Sequence, residues 1–146
     1  MENKRYYSDF GGLPGQTELL SSKATFTTAY AVIPNRVMSD IVTSVLPHWR
    51  ETRAWIISRP MTGFSETFAQ YVMEVLPGGG SDRPEPDARA QAAIFVVDGE
   101  MSIEHAGKRH ALRAGSFAYI PAGEDWSLRG EGTVPAKFHW VRKVFD

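Results

Sequence analysis

Cysteine is absent from all 146 residues, so neither a disulfide framework nor thiolate chemistry is available to this chain. Charge of one sign is lacking too. Sixteen Lys and Arg stand against 17 Asp and Glu, and a net charge of -1 provides no positive field to gather a phosphate backbone. Nucleic acid is therefore not an expected partner. No apolar run approaches the ~20 residues that span a bilayer, so a membrane is not expected either. Residues 1–9 are charged and polar without the apolar stretch of a secretory signal, which makes a cytoplasmic location the expectation. Strong helical periodicity, internal repeats and low-complexity tracts are also missing.

What remains is a hydrophobic fraction of 42% with 12% aromatic residues, enough to fill the core of one domain. The apolar segments are short, recur every ~8–12 residues and are closed by Gly or Pro, a pattern that predicts an all-β sandwich or barrel. Strands are expected over 24–33, 41–46, 54–58, 66–76, 92–97, 117–121, 126–128 and 136–141. In the clearest of them Ala69, Tyr71, Met73 and Val75 share one face, and Pro77-Gly78-Gly79-Gly80 is read as its end. A loop over 81–89 follows. Ala106-Gly107 reads as a two-residue hairpin turn that sets Glu104 opposite Arg109, Ile103 opposite His110 and Met101 opposite Leu112, with Glu104 and Arg109 as an ion pair. Gly11-Gly12-Leu13-Pro14-Gly15 fits neither a helix nor a central strand and reads as an arm laid on a surface. The expected division is an arm and extension strands over 1–60 and a barrel over 61–146.

Two spacings carry the chemistry. From Gly79, five residues lead to Glu85, one more to Asp87, four to Ala92 and six to Gly99. From Gly115, five lead to Pro121, one to Gly123, two to Trp126 and three to Gly130. This framework resembles the two cupin motifs, which implies an all-β cupin barrel, a double-stranded β-helix or jelly roll, here with an N-terminal β-strand extension. In those motifs the positions of Glu85, Asp87, Ala92 and Trp126 normally hold His, His, Glu and His, and Gly130 stands in the usual Asn slot. The shaping glycines and proline are kept while the metal-ligand set is degenerate.

The runs Gly12-Leu13-Pro14-Gly15-Gln16-Thr17-Glu18-Leu19-Leu20, Ala29-Tyr30-Ala31-Val32-Ile33-Pro34 and Asp40-Ile41-Val42-Thr43-Ser44 are similar to the N-terminal half of bicupins of the (S)-ureidoglycine aminohydrolase type, the glyoxylate-induced proteins of allantoin catabolism. Residues 77–87 and 138–143 add to the likeness. The resemblance implies a parent activity, manganese-dependent hydrolysis of (S)-ureidoglycine to (S)-ureidoglycolate and ammonia, in which Glu, His, His and Gln of a C-terminal cupin hold the metal. That second cupin is expected beyond residue 146. The resemblance therefore places no catalytic residue and no cofactor in this domain, and implies as partners the second cupin of the same chain and further copies in a homo-oligomer.

The residues themselves leave room for other chemistry. Glu85 and Asp87 could supply two oxygens to manganese, but Ala92 offers no donor atom and the indole of Trp126 offers an N–H where a lone pair is needed. The two carboxylates between prolines read more simply as a solvated loop tied to Arg83 or Arg89. Trp126, with Tyr119, is a candidate lining for a pocket that holds a small molecule without metal, or else fills the space a metal site vacated. A third reading makes Glu85 and Asp87 an acid and base pair, which requires them close and partly buried. His48, His105, His110 and His139 show no metal-ligand spacing. Ser58, Ser65 and Ser116 lack a nucleophile-elbow context, and Gly78-Gly79-Gly80 precedes no helix that could make a phosphate loop. Trp49, Trp55, Phe64, Phe68 and Trp140 divide between core and inter-domain packing in a way the sequence leaves open.

Overall fold

The computed structural model describes residues 25–26, 30–33, 42–43, 46–58 and 68–144. Every regular element among them is a strand: β1 (Thr25–Phe26), β2 (Ala31–Val32), β3 (Val42–Thr43), β4 (Trp49–Ser58), β5 (Phe68–Ser81), β6 (Ala90–Asp98), β7 (Glu100–His105), β8 (Lys108–Arg113), β9 (Phe117–Ile120), β10 (Trp126–Glu131) and β11 (Ala136–Val144). β1 and β2 pair with each other, and the other nine form one antiparallel sheet ordered β8-β7-β10-β5-β11-β6-β9, with β4 against β5 and β3 against β4. The sheet curls until its edge strands β8 and β9 line a common cleft, which leaves the barrel nearly closed.

The hairpin of β7 and β8 has the register its turn demands. Glu104 pairs with Arg109, Ile103 with His110 and Met101 with Leu112, across Ala106 and Gly107, both at positive φ as a tight primed turn requires. Arg109 makes its ion pair with Glu131 of β10 rather than with Glu104. The expected strand over 24–33 is not one strand: β1 and β2 pair antiparallel, Thr25 with Val32 and Phe26 with Ala31. The expected arm over 1–20 lies outside the described residues, as do Phe64 and Ser65.

β5 departs most from its sequence pattern. It does not stop at Pro77 but runs on through Gly78, Gly79 and Gly80 to Ser81. Its first half pairs with β11, from Phe68 to Val75, while Gly80 and Ser81 pair with Arg129 and Leu128 of β10. The glycines are what allow one strand to serve both ladders. Gly80 has φ +128, and a Cβ built on it would overlap the Leu128 carbonyl. Gly130 meets the same crossing from the other side, since its Cβ would overlap the Leu76 carbonyl.

Alternation on the strands fills the interior. Met73 and Val75 of β5, Ile94 and Val96 of β6, Leu128 of β10 and Phe138 of β11 are all at most 1% exposed. Each such side chain contributes about 1.5–3 kcal/mol of hydrophobic burial. Glu74, on the opposite face of β5, is also buried and is held between Arg53 of β4 and Lys137 of β11, its cross-strand partners. The crossing of β5 and β10 gives a clear test. Gly80→Ala should cost about 2 kcal/mol or more in urea unfolding, because strain and overlap add. Gly107→Ala, also at positive φ but facing open space, should cost only about 1 kcal/mol.

Candidate functional site: the barrel mouth

The inward positions of β11 are Phe138, Trp140 and Arg142, because residues two apart on a strand share a face. Phe138 and Trp140 are core, which brings the Arg142 guanidinium into the barrel mouth behind them. The cross-strand partner of Arg142 on β6 is Ala92. Arg142 extends to the loop between β5 and β6, where its Nε and Nη2 both donate to the Glu85 carboxylate, Nη2 to Oε1 at 3.0 Å. Glu85 Oε1 also accepts the backbone N–H of Asp87 at 2.9 Å. The Glu85 side chain is only 5% exposed, so the reading of a solvated carboxylate tied to Arg83 or Arg89 is corrected: its partner is Arg142, 57 residues further along the chain.

Asp87 does follow the loop reading. Its Oδ1 and Oδ2 accept from Arg89 Nε and Nη2 at 3.1 and 3.0 Å, and Arg142 Nη2 stands 3.8 Å away. The hydrogen bonds from Arg89 hold the Asp87 carboxyl down at about 2 from an ordinary 3.8. The hydrogen bond to Glu85 is the main cause that raises the pKa of Arg142.

Above the ion pair lies a cavity of about 260 Å3 walled by Trp49, Tyr71, Met73 and Trp140. Trp140 is the hub of this wall, with ring centroids 5.7 Å from Trp49, 5.5 Å from Tyr71 and 6.2 Å from Trp126. Trp126 stands edge-on to it at 87° and is 6% exposed. It packs behind Trp140 as core and does not line the cavity. Tyr119 faces outward on β9, half exposed, and borders the cleft between β8 and β9, which His105 and His110 also line and where His105 pairs with Glu124 at 2.6 Å. The four motif positions thus do not converge: Glu85 and Asp87 share the mouth, Ala92 makes room, and Trp126 is behind the wall. Arg142 was the residue missed. Its signal is a cation on the face of β11 whose other residues, Phe138 and Trp140, are aromatic.

The donor set does not fit a divalent cation. Glu85 is saturated by a guanidinium, Ala92 has no donor and Trp126 has no lone pair, and no group of three or more His, Cys, Asp or Glu suited to a metal exists among the described residues. No step through a metal is derived for this barrel.

Residues 62–145 match the model of the EutQ-like cupin domain. The chain belongs to the EutQ-like cupin family. This cupin is related to the (S)-ureidoglycine aminohydrolase of Escherichia coli strain K12, with 26% identity over 83 residues, 57% of this chain and 31% of that protein. It is similar to the crystal structure of a glyoxylate-induced protein from Pseudomonas aeruginosa, with TM-score 0.78 and 48% identity over 93% of this chain and 49% of that one. The Escherichia coli protein Ylba shares the fold, with TM-score 0.74 and 19% identity over 91% of this chain and 53% of that one. The chain spans about half the length of these structures and less than a third of the enzyme.

Two outcomes follow from the ion pair. Arg142→Met should lower stability in urea unfolding by about 3–5 kcal/mol, because it strands the Glu85 carboxylate in a dry site, and adding Glu85→Gln should recover part of the loss. Equal stability of the single and double variants would contradict a buried pair. Because the pKa of Asp87 is depressed, its stabilising contribution is complete above 3.8 and lost as pH falls through about 2. A carboxyl NMR titration should therefore place Asp87 near 2, and Arg89→Gln should return it toward 3.8.

Proposed function

We propose that this chain is the metal-free, non-catalytic N-terminal cupin of a (S)-ureidoglycine aminohydrolase-like bicupin. Its role is to pack against a second cupin barrel and to support a homo-oligomer. The parent reaction, manganese-dependent hydrolysis of (S)-ureidoglycine to (S)-ureidoglycolate and ammonia, then belongs to that second barrel. The observation that carries this reading is the Arg142–Glu85 pair. A fixed organic cation stands among the metal-ligand positions, and the carboxylate best placed to bind a metal is already neutralised.

The outer surface supports the packing role. Phe95 and Val97 of β6 and Phe117 and Tyr119 of β9 are 47–65% exposed, and Phe95 and Phe117 are cross-strand partners. Four large apolar side chains on adjoining outward positions form a patch of the kind that contact surfaces use. Its proposed occupant is the second barrel. The glyoxylate-induced protein carries about as much polypeptide again outside the matched half.

The reading of Glu85 and Asp87 as an acid and base pair loses support from the same geometry, since each carboxylate is held by its own arginine. The test uses the purified chain, loaded with manganese and then desalted. It should retain no stoichiometric metal and release no ammonia from (S)-ureidoglycine. One equivalent of bound manganese, or turnover abolished by Glu85→Gln, would overturn the proposal.

A further inference from the structure

Glu85 and Arg142 are the charged side chains that line the barrel-mouth cavity. Glu85 is closed to a ligand: its side chain is 5% exposed, and both its oxygens are taken by Arg142 and the Asp87 N–H. Arg142 is a quarter exposed. It spends Nε and Nη2 on Glu85, and among the described residues its Nη1 makes no hydrogen bond. A second donor, sealed from solvent, belongs to a residue of the same wall. Trp140 is 6% exposed, and its indole N–H has no hydrogen-bond partner among the described residues. Of the two, it is Arg142, a quarter exposed and lining the cavity, whose unspent donor a guest can reach.

Charge narrows what that guest can be. Arg142 and Arg89 stand against Glu85 and Asp87, two cations to two anions. An anion entering the cavity would bring a third negative charge to this cluster, and a cation would meet carboxylates that are already paired. Either would be partly desolvated beside ion pairs that are already balanced, with Arg83 exposed at the rim and donating to the Pro86 carbonyl. A neutral molecule with a carbonyl oxygen meets neither penalty. Trp49, Tyr71 and Trp140 supply flat apolar walls suited to a planar body. About 260 Å3 is room for a small compound, equal to roughly nine waters at ~30 Å3 each.

We propose that the barrel-mouth cavity binds a small, uncharged, planar carbonyl compound, an amide or cyclic imide, whose oxygen accepts from the Arg142 guanidinium and whose plane lies against Trp49, Tyr71 and Trp140. This goes beyond the packing role and does not depend on it. It also moves the ligand wall from Trp126, which is core, to Trp140.

Benzamide is a suitable probe, with benzoate and benzylamine as negatively and positively charged molecules of similar shape. Titrated into the full chain and followed by tryptophan fluorescence, benzamide should give a saturable change, with both charged probes at least about ten-fold weaker. In the double variant Glu85→Gln with Arg142→Met, which removes both charges together, benzamide binding should weaken by a similar factor. If that variant fails to fold, the unaltered chain still decides: the Arg142 side-chain N–H resonances should shift on adding benzamide. Tighter binding of benzoate or benzylamine would overturn the uncharged class. Absence of a saturable response, or of a shift at Arg142, would overturn the site. Neither result would bear on metal content, which tests the packing role separately.

Discussion

One ion pair inside the barrel mouth organises the rest of this site. A carboxylate as enclosed as Glu85 is tolerable only with a counter-charge and filled hydrogen bonds, and Arg142 supplies both through two donors, with the Asp87 N–H as a third. On β6 the residue beside Arg142 is small. Ala92 is its register partner, where a metal-binding cupin would carry a glutamate. The loss of one ligand and the gain of a cation are therefore two sides of one arrangement. The same strand places Trp140 behind Arg142, where Trp49 and Tyr71 complete the aromatic wall with it and Trp126 backs it from the core.

The scaffold under this site depends on where glycine allows chains to cross. β5 changes partner from β11 to β10 in mid-strand, and backbone from Leu76 to Gly80 approaches β10 closely enough that a side chain at Gly80 or Gly130 has no space. Continuity of β5 fixes the start of the 82–89 loop, and that loop delivers Glu85 to Arg142. Backbone shape and interior chemistry are linked through this strand.

Much of the fold was legible in the sequence, for identifiable reasons. A two-residue turn with Gly at its second position fixes register locally, so the β7 and β8 pairing could be drawn residue by residue. Period-two alternation marked most strands because one face of each is core. The Pro-Gly-Gly-Gly run reads as a stop because such residues usually break a strand, and only the second ladder, with β10, shows why it continues here. The site was less legible. Glu85 lies between prolines in a charged loop, and nothing local says that its partner comes from the last strand. The alternation Phe138, Trp140, Arg142 was the available clue, since it sends a cation inward. Tyr119 lines the cleft between β8 and β9 and not the barrel-mouth cavity, because Ala118 and Ile120 are the residues of β9 that turn toward the core.

Two surfaces divide the proposed roles. The mouth is polar at its base, aromatic at its sides and balanced in charge, which suits a small neutral guest. The outer face of β6 and β9 is apolar and exposed, which suits another barrel. The central claim is that a guanidinium occupies the place of the metal. The most direct measurement is a crystal structure grown in excess manganese, with anomalous diffraction collected at the manganese edge. The account predicts no anomalous peak beside Glu85 and an Arg142 guanidinium bonded to both of its oxygens. A manganese peak on Glu85, with Arg142 turned away, would contradict it.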